Sequence, residues 1–185
     1  FLLPGYPEIL KVSNKKTADG DFAGLASAGR RWHSDLSYAE TPSLGSLLYA
    51  LEIPPEGGDT LFNNMYCAYE ALPAATKSKI DDLKAEFLIG SARKYYTENE
   101  RPPLTEAQLA SVPPVEHPVV RTHPETKRKA LYVNPAHTVR ILGLDEAEAD
   151  ALLTELTEHS VEPKFVYRHK WRLHDLVSVS YTHLR

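Results

Sequence analysis

The 185-residue chain has one cysteine, Cys67, so no internal disulfide can staple it. A lone thiol fits a reducing compartment such as the cytoplasm. No His or Lys stands beside Cys67, which favours a small buried apolar residue over a reactive thiol. Long apolar runs are also missing: none approaches the roughly 18 residues a transmembrane helix needs. Charge of one sign never accumulates. Lys and Arg number 21 against 25 Asp and Glu, for a net charge of −4, with no block of like charges. That balance excludes a strongly basic nucleic-acid or membrane-surface binder. The opening Phe1-Leu2-Leu3-Pro4 is too short for a signal peptide and lacks its charged flank. With no Met at position 1, the natural start is expected upstream. No internal repeat is visible.

What is present suits a single mixed, β-dominated domain spanning 1–185, long enough for a proper core. Turn residues fill the first thirty positions, with a short strand expected at Glu8–Val12. Ser46–Ile53 reads as a largely buried strand, ended by Pro54-Pro55-Glu56-Gly57-Gly58. In Asp59-Thr60-Leu61-Phe62-Asn63, Thr60 and Phe62 share one face. Asn64 is placed to cap a helix from Met65 to Leu72, and a second helix follows over Ala74–Leu83. Phe87-Leu88-Ile89 resembles a strand. Ser91 to Val115 is polar and proline-rich, a candidate lid with one helical stretch at Thr105–Ala110, and with Tyr95-Tyr96 as lid or packing residues.

The segments Val119–Thr122 and Ala130–Asn134 flank a turn and predict a hairpin. Asp145–Val161 is the clearest helix, with Leu144, Ala147, Ala151, Leu152, Leu156 and His159 near helical spacing. Phe165–Trp171 and Leu176–Ser180 are the last expected strands.

One short run carries candidate chemistry: Arg31-Trp32-His33-Ser34-Asp35-Leu36-Ser37-Tyr38. If it is extended, residues i and i+2 project from one face, so His33 and Asp35 reach a common point. An imidazole and a carboxylate so placed are two thirds of the facial set that holds non-haem iron(II) and leaves positions open. Alone, His-x-Asp is weak, since it also marks ordinary hydrogen-bonded surface turns.

The surrounding blocks sharpen it. Trp32-His33-Ser34-Asp35, Thr41-Pro42, Gly57-Gly58-Asp59-Thr60-Leu61-Phe62 and Ala68-Tyr69-Glu70-Ala71-Leu72-Pro73 together resemble the TauD/TfdA family of iron(II)- and 2-oxoglutarate-dependent dioxygenases. The blocks His117–Pro124, Ala130–Asn134 and Trp171-Arg172 extend the resemblance, which runs from Trp32 to Val177. It implies a double-stranded β-helix, or jelly roll, with flanking helices. It also implies His33 and Asp35 as iron ligands and Thr60 as the residue that hydrogen-bonds 2-oxoglutarate. The implied reaction couples decarboxylation of 2-oxoglutarate to succinate with O2-dependent hydroxylation of a small organic acid. Sulfonates or sulfate esters such as taurine are the expected substrates, with aryloxyalkanoates and other carboxylates as alternatives.

The resemblance fails at the C-terminus. Counted from Asp175, the family's second iron histidine falls one position past Arg185, and no residue matches the arginine that pairs with the distal carboxylate of 2-oxoglutarate. His183 stands closer than that spacing and is read as a tail residue. Ser178–Arg185 is expected to be a non-native ending, with the C-terminal strands incomplete. The competing function is a jelly-roll fragment that binds metal or a small acid weakly without turnover. Of the other histidines, His117 and His123 are assigned to turns or packing. His159 fits a helix-end dipole contact, and His137 is a mouth-loop residue with either a substrate or a surface role. A homo-oligomer is compatible with everything above.

Overall fold

Asn64 ends one strand and starts one helix, and the core gathers around that junction. The structure, a computed structural model, describes residues 2–26, 28–89, 91, 104–180 and the backbone of 183–184. Strand β4 (Thr60–Asn64) runs directly into α1 (Met65–Glu70), and Asn64 Oδ1 accepts a hydrogen bond from Cys67 N at 3.1 Å. The cap expected from the sequence is therefore present, satisfying one of the donors a helix start leaves unpaired. Pro73 separates α1 from α2 (Ala74–Ile80). Both helices end two or three residues earlier than expected.

Among the described residues the strands form five antiparallel sheets of two or three strands each. Strands β1 (Leu2–Leu3) and β2 (Tyr6–Leu10) make an exposed ribbon. Strand β3 (Gly45–Tyr49) pairs with β11 (Leu176–Ser180), setting Ser46 opposite Val179. Strand β10 (Val166–His169) pairs with β4, setting His169 opposite Thr60, and β12 (His183–Leu184) flanks the other edge of β4. Strand β5 (Lys84–Phe87) lies between β6 (Val115–Pro118) and β9 (Thr138–Ile141). The expected hairpin exists as β7 (Val120–Thr122) and β8 (Lys129–Leu131). Among the described residues the strands close no barrel.

Helix α3 (Glu106–Ser111) is held by a reciprocal capping box between Thr105 and Gln108. Helix α4 (Glu146–Ser160) starts at Asp145, whose carboxylate accepts from Glu148 N at 3.0 Å. Its buried stripe is Ala149, Leu152, Leu156 and Ser160, spaced by three and four residues. Ala147 and Ala151, expected inward, are exposed because that stripe passes them by.

Phe87, Ile80, Leu156 and Met65 are fully buried in one cluster that joins α1, α2 and α4 to β5, β7, β8 and β9. Each such side chain contributes about 2 kcal/mol over its exposed state. The strand expected at Phe87–Ile89 lies earlier, with Phe87 as its last residue; Ala85 and Phe87 point into the core while Lys84 points out.

The expectation of a buried strand over Ser46–Ile53 is wrong. Leu47 is 70% exposed and Leu51 68%. A two-stranded sheet alternates its side chains, and only one face of β3 is covered, so Ser46 and Leu48 face inward while Leu47 and Tyr49 face out. No helix among the described residues is long and apolar enough to cross a membrane.

Candidate metal centre

His33 and Asp35 do converge, although not as neighbours on a strand. His33 lies in irregular chain and Asp35 opens a turn that runs to Tyr38. Leu36 follows at φ 53°, a left-handed conformation that few non-glycine residues adopt. Just ahead of that bend, His33 Nε2 lies 3.4 Å from Asp35 Oδ1, with the two side chains 15% and 26% exposed.

The other ring nitrogen, His33 Nδ1, lies 2.7 Å from Arg31 O. A carbonyl only accepts, so Nδ1 carries the proton and, in the neutral ring, Nε2 keeps the lone pair that a metal requires. Asp35 is oriented likewise. Ser46, one of the inward residues of β3, donates from Oγ to Asp35 Oδ2, which leaves Oδ1 on the His33 side. Such outer contacts fix ligand orientation at metal sites. The donor set, one imidazole nitrogen and one carboxylate oxygen, fits a divalent cation such as iron(II). Among the described residues, no group of three or more His, Cys, Asp or Glu is gathered.

A second network supports the turn from below. Ser37 is fully buried; its Oγ accepts from Asn134 Nδ2 at 3.1 Å and lies 2.9 Å from His137 Nδ1. His137 also packs edge-on against Tyr38, with ring centroids 4.8 Å apart. His137, expected in a mouth loop, thus stands against the turn that carries Asp35. Further along, His117 Nε2 donates to Ala39 O at 2.9 Å. Burial, then the nearby Arg121 charge, pulls the His117 pKa down, and burial pushes the Tyr132 hydroxyl up.

His123 serves its turn, accepting from Glu125 N and Thr126 N at Nδ1. In the last turn of α4, His159 lies 2.9 Å from Ala68 O and 2.8 Å from Glu162 Oε1. Cys67 is half-buried against the core. Tyr95, Tyr96 and the side chain of His183 lie outside the described residues.

Thr60, the first residue of β4, is engaged by a different part of the chain. Gly57 and Gly58, at φ 73° and 76°, turn the backbone just ahead of it, and a Cβ at Gly58 would come 2.8 Å from Pro54 Cγ. Trp171 Nε1 donates to Thr60 Oγ1 at 2.8 Å. The segment that carries Trp171 continues through Asp175, whose carbonyl accepts from Ala50 N, into β11 beside Ser46. One stretch, 171–180, therefore touches both Thr60 and the strand that orients Asp35.

A histidine–carboxylate pair, each member held by its own hydrogen bond beside an antiparallel strand, defines a candidate mononuclear metal centre. The chain belongs to the taurine catabolism dioxygenase TauD, TfdA family, whose model matches residues 3–180. It is 39% identical over 178 residues to an alpha-ketoglutarate-dependent 2,4-dichlorophenoxyacetate dioxygenase of Cupriavidus pinatubonensis, covering 93% of this chain and 61% of that protein. A crystal structure of AAD-2 in complex with Mn(II) and N-oxalylglycine superposes with a TM-score of 0.74 at 38% identity, covering 83% of this chain and 60% of that one. A taurine dioxygenase from Burkholderia xenovorans gives 0.76 at 31% identity, covering 98% of this chain and 58% of that one. The chain spans less than two thirds of the length of each.

Proposed function

We propose that this chain acts as an iron(II)- and 2-oxoglutarate-dependent dioxygenase domain of jelly-roll type, spanning 1–185 and hydroxylating a small organic acid. The observation that carries the reading is His33 Nε2 facing Asp35 Oδ1 at 3.4 Å, with the opposite atom of each side chain already occupied. His33 and Asp35 hold the metal in this reading, and Thr60 binds a carboxylate of 2-oxoglutarate through its hydroxyl. Bound iron(II) supplies the oxygen chemistry that couples 2-oxoglutarate decarboxylation to hydroxylation. The protein's share is to present Nε2 unprotonated, to keep Oδ1 turned toward it, and to offer a hydroxyl donor at Thr60.

The substrate class proposed is a sulfonate or sulfate ester such as taurine, with aryloxyalkanoates as the rival. Support comes from the relatives named for taurine and for 2,4-dichlorophenoxyacetate. The test is succinate release by the full chain given iron(II), O2, 2-oxoglutarate and, in turn, taurine, an alkyl sulfate and 2,4-dichlorophenoxyacetate. Substrate-dependent succinate that disappears in His33→Ala is the expected result. Equal turnover by His33→Ala would remove His33 from the metal.

A second reading, weak binding of metal or a small acid without turnover, is favoured by the lack of a gathered ligand trio among the described residues. Titration with Mn(II) separates the two. Tight one-to-one binding requires a further ligand and excludes the second reading; loose binding together with absent succinate supports it.

A further inference from the structure

We infer that Trp171 is a positioning residue for Thr60: its indole N–H occupies the acceptor side of the hydroxyl, so that the Thr60 proton is held outward as a donor to an anionic ligand. This rests on the reading of Thr60 as the 2-oxoglutarate contact. A hydroxyl has one proton and two lone pairs. At 2.8 Å, Trp171 Nε1, which can only donate, takes one of those lone pairs. The Thr60 proton then points away from Trp171 and is free to donate to a carboxylate.

The indole is itself fixed. His169 packs edge-on against Trp171, with centroids 4.5 Å apart and an interplanar angle of 87°. His169 Nε2 lies 3.1 Å from Asp175 Oδ2, and that oxygen also accepts from Arg172 N at 2.8 Å. The backbone gives a second constraint, since His169 sits opposite Thr60 in the β10–β4 register. Asp175, His169 and Trp171 thus form a chain of contacts that ends on a single hydroxyl. A hydroxyl that is already oriented does not lose rotational freedom again when a ligand binds.

The experiment measures binding of 2-oxoglutarate to the full chain loaded with Mn(II), which reports affinity without turnover. The variants are Trp171→Phe, Thr60→Val and the double substitution. Trp171→Phe is expected to weaken binding about fivefold and Thr60→Val about tenfold. The double variant should be no weaker than Thr60→Val, because the indole acts only through the hydroxyl. Thr60→Val binding like the unmodified chain would overturn the assignment of Thr60, and the inference with it. A weakened Thr60→Val beside an unaffected Trp171→Phe, or additive losses in the double variant, would overturn the role of Trp171 alone.

A readout independent of ligand and robust to partial loss of folding is the indole proton resonance. The chain has two tryptophans, so Trp32→Phe assigns the Trp171 signal. In that background, Thr60→Val should shift the Trp171 resonance upfield, as expected for a lost hydrogen bond. An unmoved resonance would show that no such bond exists.

Discussion

At the scale of single residues, Ser46 does work that its type does not advertise. Its hydroxyl holds one oxygen of Asp35, and Ser46→Ala frees that carboxylate to rotate. Loss of an orienting partner of this kind typically costs metal affinity by a factor of about ten. Mn(II) titration followed by electron paramagnetic resonance is expected to show that loss with the thermal midpoint nearly unchanged. His117 carries a different expectation. Its pKa in the fold is depressed, chiefly by burial, while the unfolded chain protonates it at about 6.5. As pH falls below that value the unfolded state gains a proton the folded state refuses, so stability drops, and the drop ends below the folded pKa. Urea unfolding should therefore show a loss on going from pH 7.5 to 5.5, at no more than about 1.4 kcal/mol per pH unit. His117→Gln keeps a donor for Ala39 O and should flatten that part of the curve.

At the scale of elements, the joint between β4 and α1 links the strand of Thr60 to the core. Asn64→Ala removes the cap and should cost about 1 kcal/mol, a fall of roughly 2–4 °C in Tm by calorimetry. This joint was legible in the sequence because a cap and its helix are neighbours. The same holds for the Val120–Leu131 hairpin and for α4, whose signals are local. What could not be read were contacts across the chain. Nothing near Asp35 announces Ser46, and Trp171 stood out only as part of a family-like block, with no hint that it meets Thr60. The His33–Asp35 convergence was expected from a strand, whereas His33 lies in irregular chain that enters a turn at Asp35, and the left-handed Leu36 within that turn has no glycine to mark it. The apolar run over Ser46–Ile53 suggested burial, but hydrophobicity does not say whether a second layer covers both faces.

At the scale of the whole molecule, the covered core and the open β3–β11 ribbon differ sharply. Leu47, Tyr49 and Leu176 lie exposed together on that ribbon, where Tyr49 and Leu176 are paired across the strands. An exposed apolar cluster of this kind should bind an environment-sensitive apolar dye. Leu47→Lys is expected to reduce the dye signal while changing unfolding free energy by less than about 0.5 kcal/mol, as surface substitutions usually do. The Ser37 network has a consequence of another sort. Ser37 reaches Asn134 and His137 across sequence separations of 97 and 100 residues. Contacts that close such long loops are paid for in chain entropy before they return anything, and they tend to form late. The turn that carries Asp35 thus waits on residues about a hundred positions further along, so the metal affinity proposed for it belongs to the finished fold and not to the short run that contains His33 and Asp35.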